Sequence, residues 1–202
     1  MAFLPTTKKE IENLGWDSVD VIFVSGVAYI VYPSFGAAVI SRHLESCGFR
    51  VAILAQPNWK DDLRDFKKLG KPNLCFAVSS GSMDSMVNHY TAAKRKRADD
   101  AYTPGGQSGF RPDRATVVYS QILKSIYPDV PVLIGGIEAS MRRLAHYDYW
   151  SNKVKHSILI DSQANLISYG MGERSIVEIA NALNEGFEID EIAGIDKQMK
   201  FE

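Results

Sequence analysis

The sequence has few of the residues from which cofactor sites are usually built. Its 202 residues include two cysteines, Cys47 and Cys75, and four histidines. The cysteines form neither a CxxC pair nor the set of three or four thiolates that ligates an iron–sulfur cluster. Each stands in an apolar stretch, so we expect both thiols to be buried and reduced. This chain by itself is therefore expected to hold no cofactor.

Signals for membranes and for secretion are also missing. No apolar run approaches the roughly 20 residues that a membrane span requires. The N-terminus lacks the charged start and apolar block of a secretory signal. The net charge is −1, so no overall field attracts the chain to nucleic acid or to anionic lipid. We expect a cytoplasmic protein without a membrane partner.

The histidines do not indicate a metal site. None of the four stands at i,i+4 from another. His146 and Asp148 form one H-x-D pair, which supplies two ligands where a site needs at least three. We favour a structural histidine among aromatic side chains. The sequence therefore predicts neither a metal ligand nor a catalytic residue.

The strongest local charge is the basic run Lys94–Arg97, which two aspartates follow directly. We interpret it as a solvated loop, and contact with RNA or an acidic partner is the alternative. It opens the segment 94–112, which is rich in glycine and has little apolar periodicity. Long segments of this kind are usually functional or disordered. We expect it to be irregular and mobile, or ordered only by contacts outside this chain.

What the sequence does contain is a regular alternation of short apolar runs and amphipathic helical stretches. This pattern predicts an α/β fold with an open, mainly parallel, doubly wound sheet, Rossmann-like or flavodoxin-like. Residues 1–190 would form one α/β domain, and residues 191–202 would be a linker or chain end. The predicted strands are 20–25, 50–55, 73–79, 130–134, 157–160 and 166–169. The main predicted helices are 36–47, 173–184 and a helix that Asp113 caps. The apolar stripe of that third helix would be Ala115, Val118, Ile122 and Ile126.

Two loops of this predicted sheet contain candidate binding residues. Ligands of such sheets bind outside the carboxyl ends of the strands. Glycines there allow close approach, the start of a helix presents free N–H groups, and arginines donate to carboxylate or phosphate. An ordinary strand-to-helix turn with solvated arginines is the alternative. The candidate cofactor-binding residues are Ser79, Ser80, Gly81, Gly135, Gly136, Glu138, Arg142 and Arg143.

Several blocks of the sequence resemble one known family. They are MDSMVNHYTAAKRKRADDAYTPGG, RPDRATVVYSQ, GGIEASMRRLAHYDYW and YGMGERSIVEIA, which cover roughly residues 83–180. LPTTKKEIENLGWDSVDVIFVSG and YPSFG fit the same family in the same order. Together they resemble the N-terminal region of the YgiQ-like radical SAM proteins, and the resemblance spans nearly the whole chain.

This resemblance implies a much longer protein with a downstream barrel. In that barrel, CxxxCxxC would bind a [4Fe–4S] cluster that cleaves S-adenosylmethionine. The motif is absent here, so the resemblance implies the N-terminal domain alone, inactive by itself, with the barrel of the same polypeptide as its partner. The implied fold is similar to the cobalamin-binding domains of other radical SAM enzymes. The substrate, small molecule or macromolecule, is not identified by the family.

The first loop departs from the family pattern. That pattern is close to GDAYVDHPSFG, whereas residues 26–36 read GVAYIVYPSFG. Val27, Val31 and Tyr32 replace two acids and a histidine, so a polar or metal role of this loop is lost or altered. Its apolar composition predicts a packed or interfacial loop.

Three functions stay open on the sequence. The first is an accessory domain that shapes or caps the active site of a radical SAM barrel. The second is a module that binds a cobalamin-like or nucleotide cofactor at the strand ends. The third is an interaction domain whose basic loop contacts RNA or a protein.

Overall fold

The computed structural model describes residues 3–29 and 36–192, together with the backbone of residues 198 and 199. The strands are β1 (Val21–Ser25), β2 (Val51–Ala55), β3 (Cys75–Ser79), β4 (Val132–Gly135), β5 (His146–Asp148), β6 (Lys153–Lys155), β7 (Leu166–Ser168) and β8 (Gln198–Met199). The helices are α1 (Lys8–Asn13), α2 (Gly36–Ser46), α3 (Arg64–Lys67), α4 (Ser85–His89), α5 (Ala115–Ile126), α6 (Gly136–Met141), α7 (Ile158–Ser162) and α8 (Glu173–Asn184). A 3-10 turn spans Pro104–Gly106.

Within the described residues, six strands form one sheet in the order β2-β1-β3-β4-β7-β8. The first five are mutually parallel, and β8 pairs with β7 in the antiparallel sense. This confirms the predicted mainly parallel α/β fold. Strands β5 and β6 form a separate antiparallel hairpin. Because parallel strands end at the same edge, the loops after β1, β3, β4 and β7 meet there.

Both faces of the sheet are buried, because alternate strand residues point to opposite sides. On β1, Val21 and Phe23 pack with residues of α2 and α8. Ile22 and Val24 pack with residues of α5, among them Tyr119. Two apolar cores therefore lie on either side of one sheet, which is the doubly wound arrangement. None of the helices in the described part of the chain has the length and apolar composition that crossing a bilayer takes.

The strand predicted at 157–160 is wrong. These residues enter α7, whose first N–H groups are capped by Ser157: its hydroxyl accepts from Leu159 N at 3.2 Å. A short apolar run is compatible with a strand or a buried helix, and periodicity alone does not separate the two. Here the cap formed by Ser157 stabilises the start of a helix. The strand predicted at 166–169 is confirmed as β7.

The start of α5 also differs from the prediction. Asp113 does not cap it, because Arg114 takes the position before the helix in a left-handed conformation, with φ 53°. The side chain of Asp113 instead binds His89 and Tyr90. The buried face is made by Tyr119 and Leu123 with Ala115, whereas the predicted Val118, Ile122 and Ile126 are half-buried. Moving from Val118 to Tyr119, or from Ile122 to Leu123, is one step along the helix. Each step rotates the side-chain direction by about 100°, so an error of one residue changes the predicted buried face.

The two cysteines have different environments. Cys75 lies on β3 in the core, where burial raises the pKa of its thiol to about 12. Cys47 is exposed just after α2, so its predicted burial is wrong. Gly48 follows it with φ 93°, and the chain turns there.

The segment 94–112 is irregular, as predicted, but contacts inside this chain order it. Asp100 N donates to Gly106 O at 2.9 Å, and Trp59 Nε1 donates to Phe110 O at 3.0 Å. Arg111 is fully buried and pairs with Asp100 at 3.3 Å. The expectation that the segment is ordered only by contacts outside this chain is therefore wrong.

Two other predictions fall largely on residues that the structure does not describe. In the first loop, Val27 is buried, as a packed loop requires, while Ile30, Val31 and Tyr32 lie outside the described residues. Most of the predicted linker, 191–202, also lies outside them. The boundary near residue 190 stays a prediction.

The pair Asp20–Arg50 joins the start of β1 to that of β2, and we predict that it makes stability depend on pH. Burial acts to raise the pKa of Asp20, but hydrogen bonds from Arg50 and Asn73 outweigh it and hold that pKa below its usual range. Its contribution is therefore complete above the unfolded-state pKa of about 3.9 and is lost as the pH falls through the lower folded-state pKa.

In urea unfolding at pH 7, Asp20→Asn should cost about 1–2 kcal/mol, and the difference from wild type should shrink below about pH 4. Asp99→Asn, at an exposed position, is the control and should change stability little at either pH. A cost for Asp20→Asn that stays constant down to pH 2.5, about 1.4 units below the unfolded-state pKa, would contradict the assignment.

Candidate functional site

A crevice of about 210 Å³ opens at the carboxyl edge of the sheet, between the ends of β3, β4 and β7. Ser79 ends β3 directly beside Gly135 of β4, and Gly135 lies beside Ser168 of β7. These three residues and Gly136 line the crevice together with the glycine-rich turn 170–172. The structure thus brings Ser79, Gly135 and Gly136 together.

The two glycines keep this crevice open. Gly136 has φ 78°, and a Cβ there would lie 2.6 Å from Ser79 Oγ. A Cβ at Gly135 would lie 3.2 Å from the carbonyl oxygen of Ser168. Any side chain at residue 136 would therefore be strained and would push into the serine.

Ser80 and Gly81 do not line the crevice. Ser80 Oγ donates to Met83 O at 3.2 Å, and its carbonyl accepts from Arg111 Nη1 at 3.0 Å. Gly81, with φ 102°, lies against Val27 so closely that a Cβ would be 2.4 Å from a valine methyl. Both residues shape the loop after β3.

Glu138 is completely buried, and its carboxylate holds two helices. Oε2 accepts from Ser85 N at 2.8 Å and from Ser85 Oγ at 2.5 Å. Oε1 accepts from Thr116 N at 2.9 Å. Ser85 and Thr116 lie in the first turns of α4 and α5, so one carboxylate satisfies N–H groups that have no partner within their helices.

The two arginines are also engaged by protein groups. Arg142 pairs with Asp84, whose other oxygen caps α4, and burial lowers the pKa of Arg142. Arg143 Nη1 donates to Ser140 O at 2.7 Å, and its guanidinium lies 5.1 Å from the centre of the Tyr169 ring. Neither lines the crevice.

The lining of the crevice determines what it can bind. Besides the serine hydroxyls and backbone groups, apolar side chains such as Phe23, Leu133 and Ile176 form its walls. Glu173 is the single ionisable residue among the described lining residues. The crevice therefore suits a neutral, partly apolar group with a few hydrogen-bonding atoms, rather than the anion that the arginines suggested. The lining residues that the structure describes offer no acid–base pair for chemistry.

Sequence reasoning missed a buried polar network at the base of segment 94–112. His89 Nδ1 lies 2.7 Å from Asp113 Oδ1, and Tyr90 donates to the other oxygen of Asp113 at 2.7 Å. Arg111 pairs with Asp100. Nothing in their spacing groups these residues. Among the described residues, no three His, Cys, Asp or Glu side chains are grouped as a metal site would require.

Comparison with known proteins shows where this chain has relatives. A family model described as Radical SAM N-terminal matches residues 3–201. A UPF0313 protein of Bacteroides thetaiotaomicron is 63% identical over 183 residues, which are 91% of this chain and 30% of that protein. One of Pseudomonas syringae is 58% identical over 193 residues, which are 96% of this chain and 25% of that protein. The chain thus spans less than a third of the length of these curated relatives.

Among solved structures, the chain is similar to TsrM of Kitasatospora setae, a radical S-adenosylmethionine methyltransferase. One TsrM structure, with cobalamin and a [4Fe-4S] cluster bound, gives a TM-score of 0.56 at 20% identity and covers 91% of this chain and 27% of TsrM. Another, with tryptophan and an S-adenosylmethionine analogue, gives 0.55 at 22% identity and covers 91% and 28%. At this identity the likeness shows a shared fold.

We predict that Glu138→Ala destabilises the chain by about 3–5 kcal/mol, because it leaves buried N–H groups of α4 and α5 without a partner. Glu138→Gln should recover part of that loss, since its amide oxygen serves one helix while its NH₂ faces the donors of the other. Chemical denaturation at neutral pH measures both.

The matched control is Glu178→Ala. Glu178 forms an i,i+4 pair with Arg174 on the surface of α8, where such pairs contribute about 0.3–0.5 kcal/mol. A loss below 1 kcal/mol for Glu138→Ala, comparable to that control, would show that the carboxylate does not hold the helices.

Proposed function

Because the chain belongs to the Radical SAM N-terminal family, we propose that it is an accessory domain of a cytoplasmic, [4Fe–4S]-dependent radical SAM enzyme. In this proposal the domain, residues 1–190, shapes or caps the active site of a barrel elsewhere in the polypeptide. The substrate contacts the barrel and the carboxyl edge of this sheet.

The observation that carries the proposal is the family match over residues 3–201 in a chain with two cysteines. A [4Fe–4S] cluster with one open iron needs three thiolates. Cys75 is buried in the core and Cys47 is exposed at the end of α2, so these residues do not fit a cluster. In this proposal the cluster, and the S-adenosylmethionine that it cleaves, bind outside these 202 residues.

A cobalamin- or nucleotide-binding module is the second candidate, and the crevice supports it. Its two glycines allow close approach of a ligand, and its lining is partly apolar with Glu173 as one ionisable residue. Ser79 and Ser168 are its lining serines, and their hydroxyls also bind Gly81 N and Ser175 Oγ. At about 210 Å³ it would hold part of a cobalamin or nucleotide rather than the whole molecule. The cobalamin-containing TsrM structure adds an analogy of fold.

For the first candidate, we predict that anaerobic reconstitution of this chain with iron and sulfide gives no stoichiometric cluster and no 5′-deoxyadenosine on reduction with S-adenosylmethionine. The reason is the shortage of thiolates. The full-length protein is the matched control and should give both. Thiolate-ligated iron at four atoms per chain in this fragment, or failure of the full-length protein, would refute the proposal.

For the second candidate, we predict that hydroxocobalamin, or ATP through its neutral adenosine part, binds at the crevice and that Gly136→Ala weakens binding about tenfold or more, measured by equilibrium dialysis. The added methyl narrows the crevice against Ser79. Gly186→Ala is the matched control, because Gly186 has φ 90° but nothing within 4 Å of its Cβ position. It shares the backbone strain without touching the crevice. If neither probe binds the wild-type chain, the proposal of a binding module is refuted, whereas the proposal of an accessory domain is unaffected.

A further inference from the structure

A second cavity, of about 240 Å³, shares no lining residue with the crevice. It lies between the loop after β2, the end of α4, the segment 94–112 and α5. Lys60, His89, Lys96, Arg111 and Asp113 form its polar walls. Neither the proposed accessory role nor the crevice accounts for it.

Two of these lining residues each have a buried nitrogen without a hydrogen-bond partner. These nitrogens are His89 Nε2 and Arg111 Nε. The side chain of His89 is 4% exposed and that of Arg111 is fully buried. The nearest carboxylate oxygen to His89 Nε2, on Asp100, is 3.8 Å away, beyond hydrogen-bonding distance. Leaving a buried polar atom unpaired is costly, and a water, an ion or a ligand atom can satisfy it.

Both side chains are held rigidly by their other atoms. Asp113 lies 2.7 Å from His89 Nδ1 and is itself fixed by the hydroxyl of Tyr90. This contact orients the ring and leaves Nε2 free to donate when the ring carries its second proton. Arg111 is fixed through Nη1 and Nη2 by Ser80 O and Asp100. The unpaired nitrogens are thus pre-positioned, which lowers the entropy lost on binding.

The charges of the lining side chains determine whether the cavity favours a cation or an anion. Asp100 balances the charge of Arg111, which leaves Lys60 and Lys96 facing one lining carboxylate, that of Asp113. In the described part of the chain, no carboxylate lies within 4 Å of the ammonium group of Lys60 or Lys96. Lys60 Nζ donates to Gly109 O at 2.9 Å and lies 5.1 Å from the Trp59 ring centre, which fixes its position. The cavity therefore favours an anion.

We propose that this cavity binds a small oxyanion, either a free phosphate ion or the terminal phosphate of a larger molecule. Its volume is below the roughly 300–1,000 Å³ of pockets that enclose whole organic ligands. Arg111 Nε, His89 Nε2 and the ammonium of Lys96 donate to the oxygens. Arginine offers phosphate oxygens hydrogen-bond donors in a fixed planar geometry, and lysine offers a positive point charge on a flexible side chain.

Isothermal titration calorimetry of this chain with inorganic phosphate, and separately with glycerol phosphate, tests the proposal. Lys96→Met and Arg95→Met form a matched pair, since each removes one exposed positive charge at neighbouring positions and Lys96 alone lines the cavity. His89→Asn removes Nε2 and keeps an N–H near Asp113. Thermal unfolding shows whether each variant is folded. If His89→Asn does not fold, the comparison of Lys96→Met with Arg95→Met still tests the proposal.

Saturable phosphate or glycerol phosphate binding that weakens about tenfold in Lys96→Met, and not in Arg95→Met, supports the site. Loss in a folded His89→Asn variant strengthens it. Binding of phosphate alone identifies the free ion, and binding of glycerol phosphate identifies a terminal phosphate group. Absence of saturable binding by either anion, or equal weakening in both charge variants, overturns the proposal.

Discussion

The carboxyl edge of the sheet depends on the buried carboxylate of Glu138. Its two oxygens accept N–H groups from the first turns of α4 and α5, whose starts carry partial positive charge. Among the described residues no cation pairs with it, so these N–H groups and the Ser85 hydroxyl are what compensate the charge. Glu138 stands in the first turn of α6, two residues after Gly136. The contact that orients two helices therefore also positions the glycine turn that lines the crevice.

This arrangement explains why the chain between α4 and α5 is long yet ordered. Both helices begin at the same carboxylate, so the intervening residues must leave that point and return to it. Arg111 supplies the return anchor, since it is buried against Asp100 and the carbonyl of Ser80. Ser80 adjoins Ser79 in the crevice. Arg111 lines the second cavity and also binds the neighbour of a crevice residue, so a change in Arg111 would affect residues of both.

The fold could be predicted from the sequence where hydrophobic burial decides the structure. The strands around Val21, Val51, Cys75 and Val132 are apolar because both faces of a parallel sheet are covered, and that pattern is local. Where a polar cap decides between helix and strand, the apolar pattern alone predicted the wrong element, as α7 shows. The crevice was predicted in part: Ser79 and the two glycines follow neighbouring strands, and parallel strands end together. Where Glu138 points was not predictable, because its partners lie far away in the chain.

The sequence by itself determined the α/β class, the parallel sheet, the family and the shortage of thiolates, because these follow from composition, periodicity and local motifs. Only the tertiary structure decided which polar side chains are fully hydrogen-bonded to other groups of the protein and which keep an atom without such a partner. Arg142 and Glu138 look alike from sequence as candidates for a cofactor, yet each is satisfied internally. His89 and Arg111 gave no signal, yet each keeps an unpaired nitrogen. The physical reason is that hydrogen-bond satisfaction depends on distances between residues that are remote in the chain, and a linear pattern does not encode those distances.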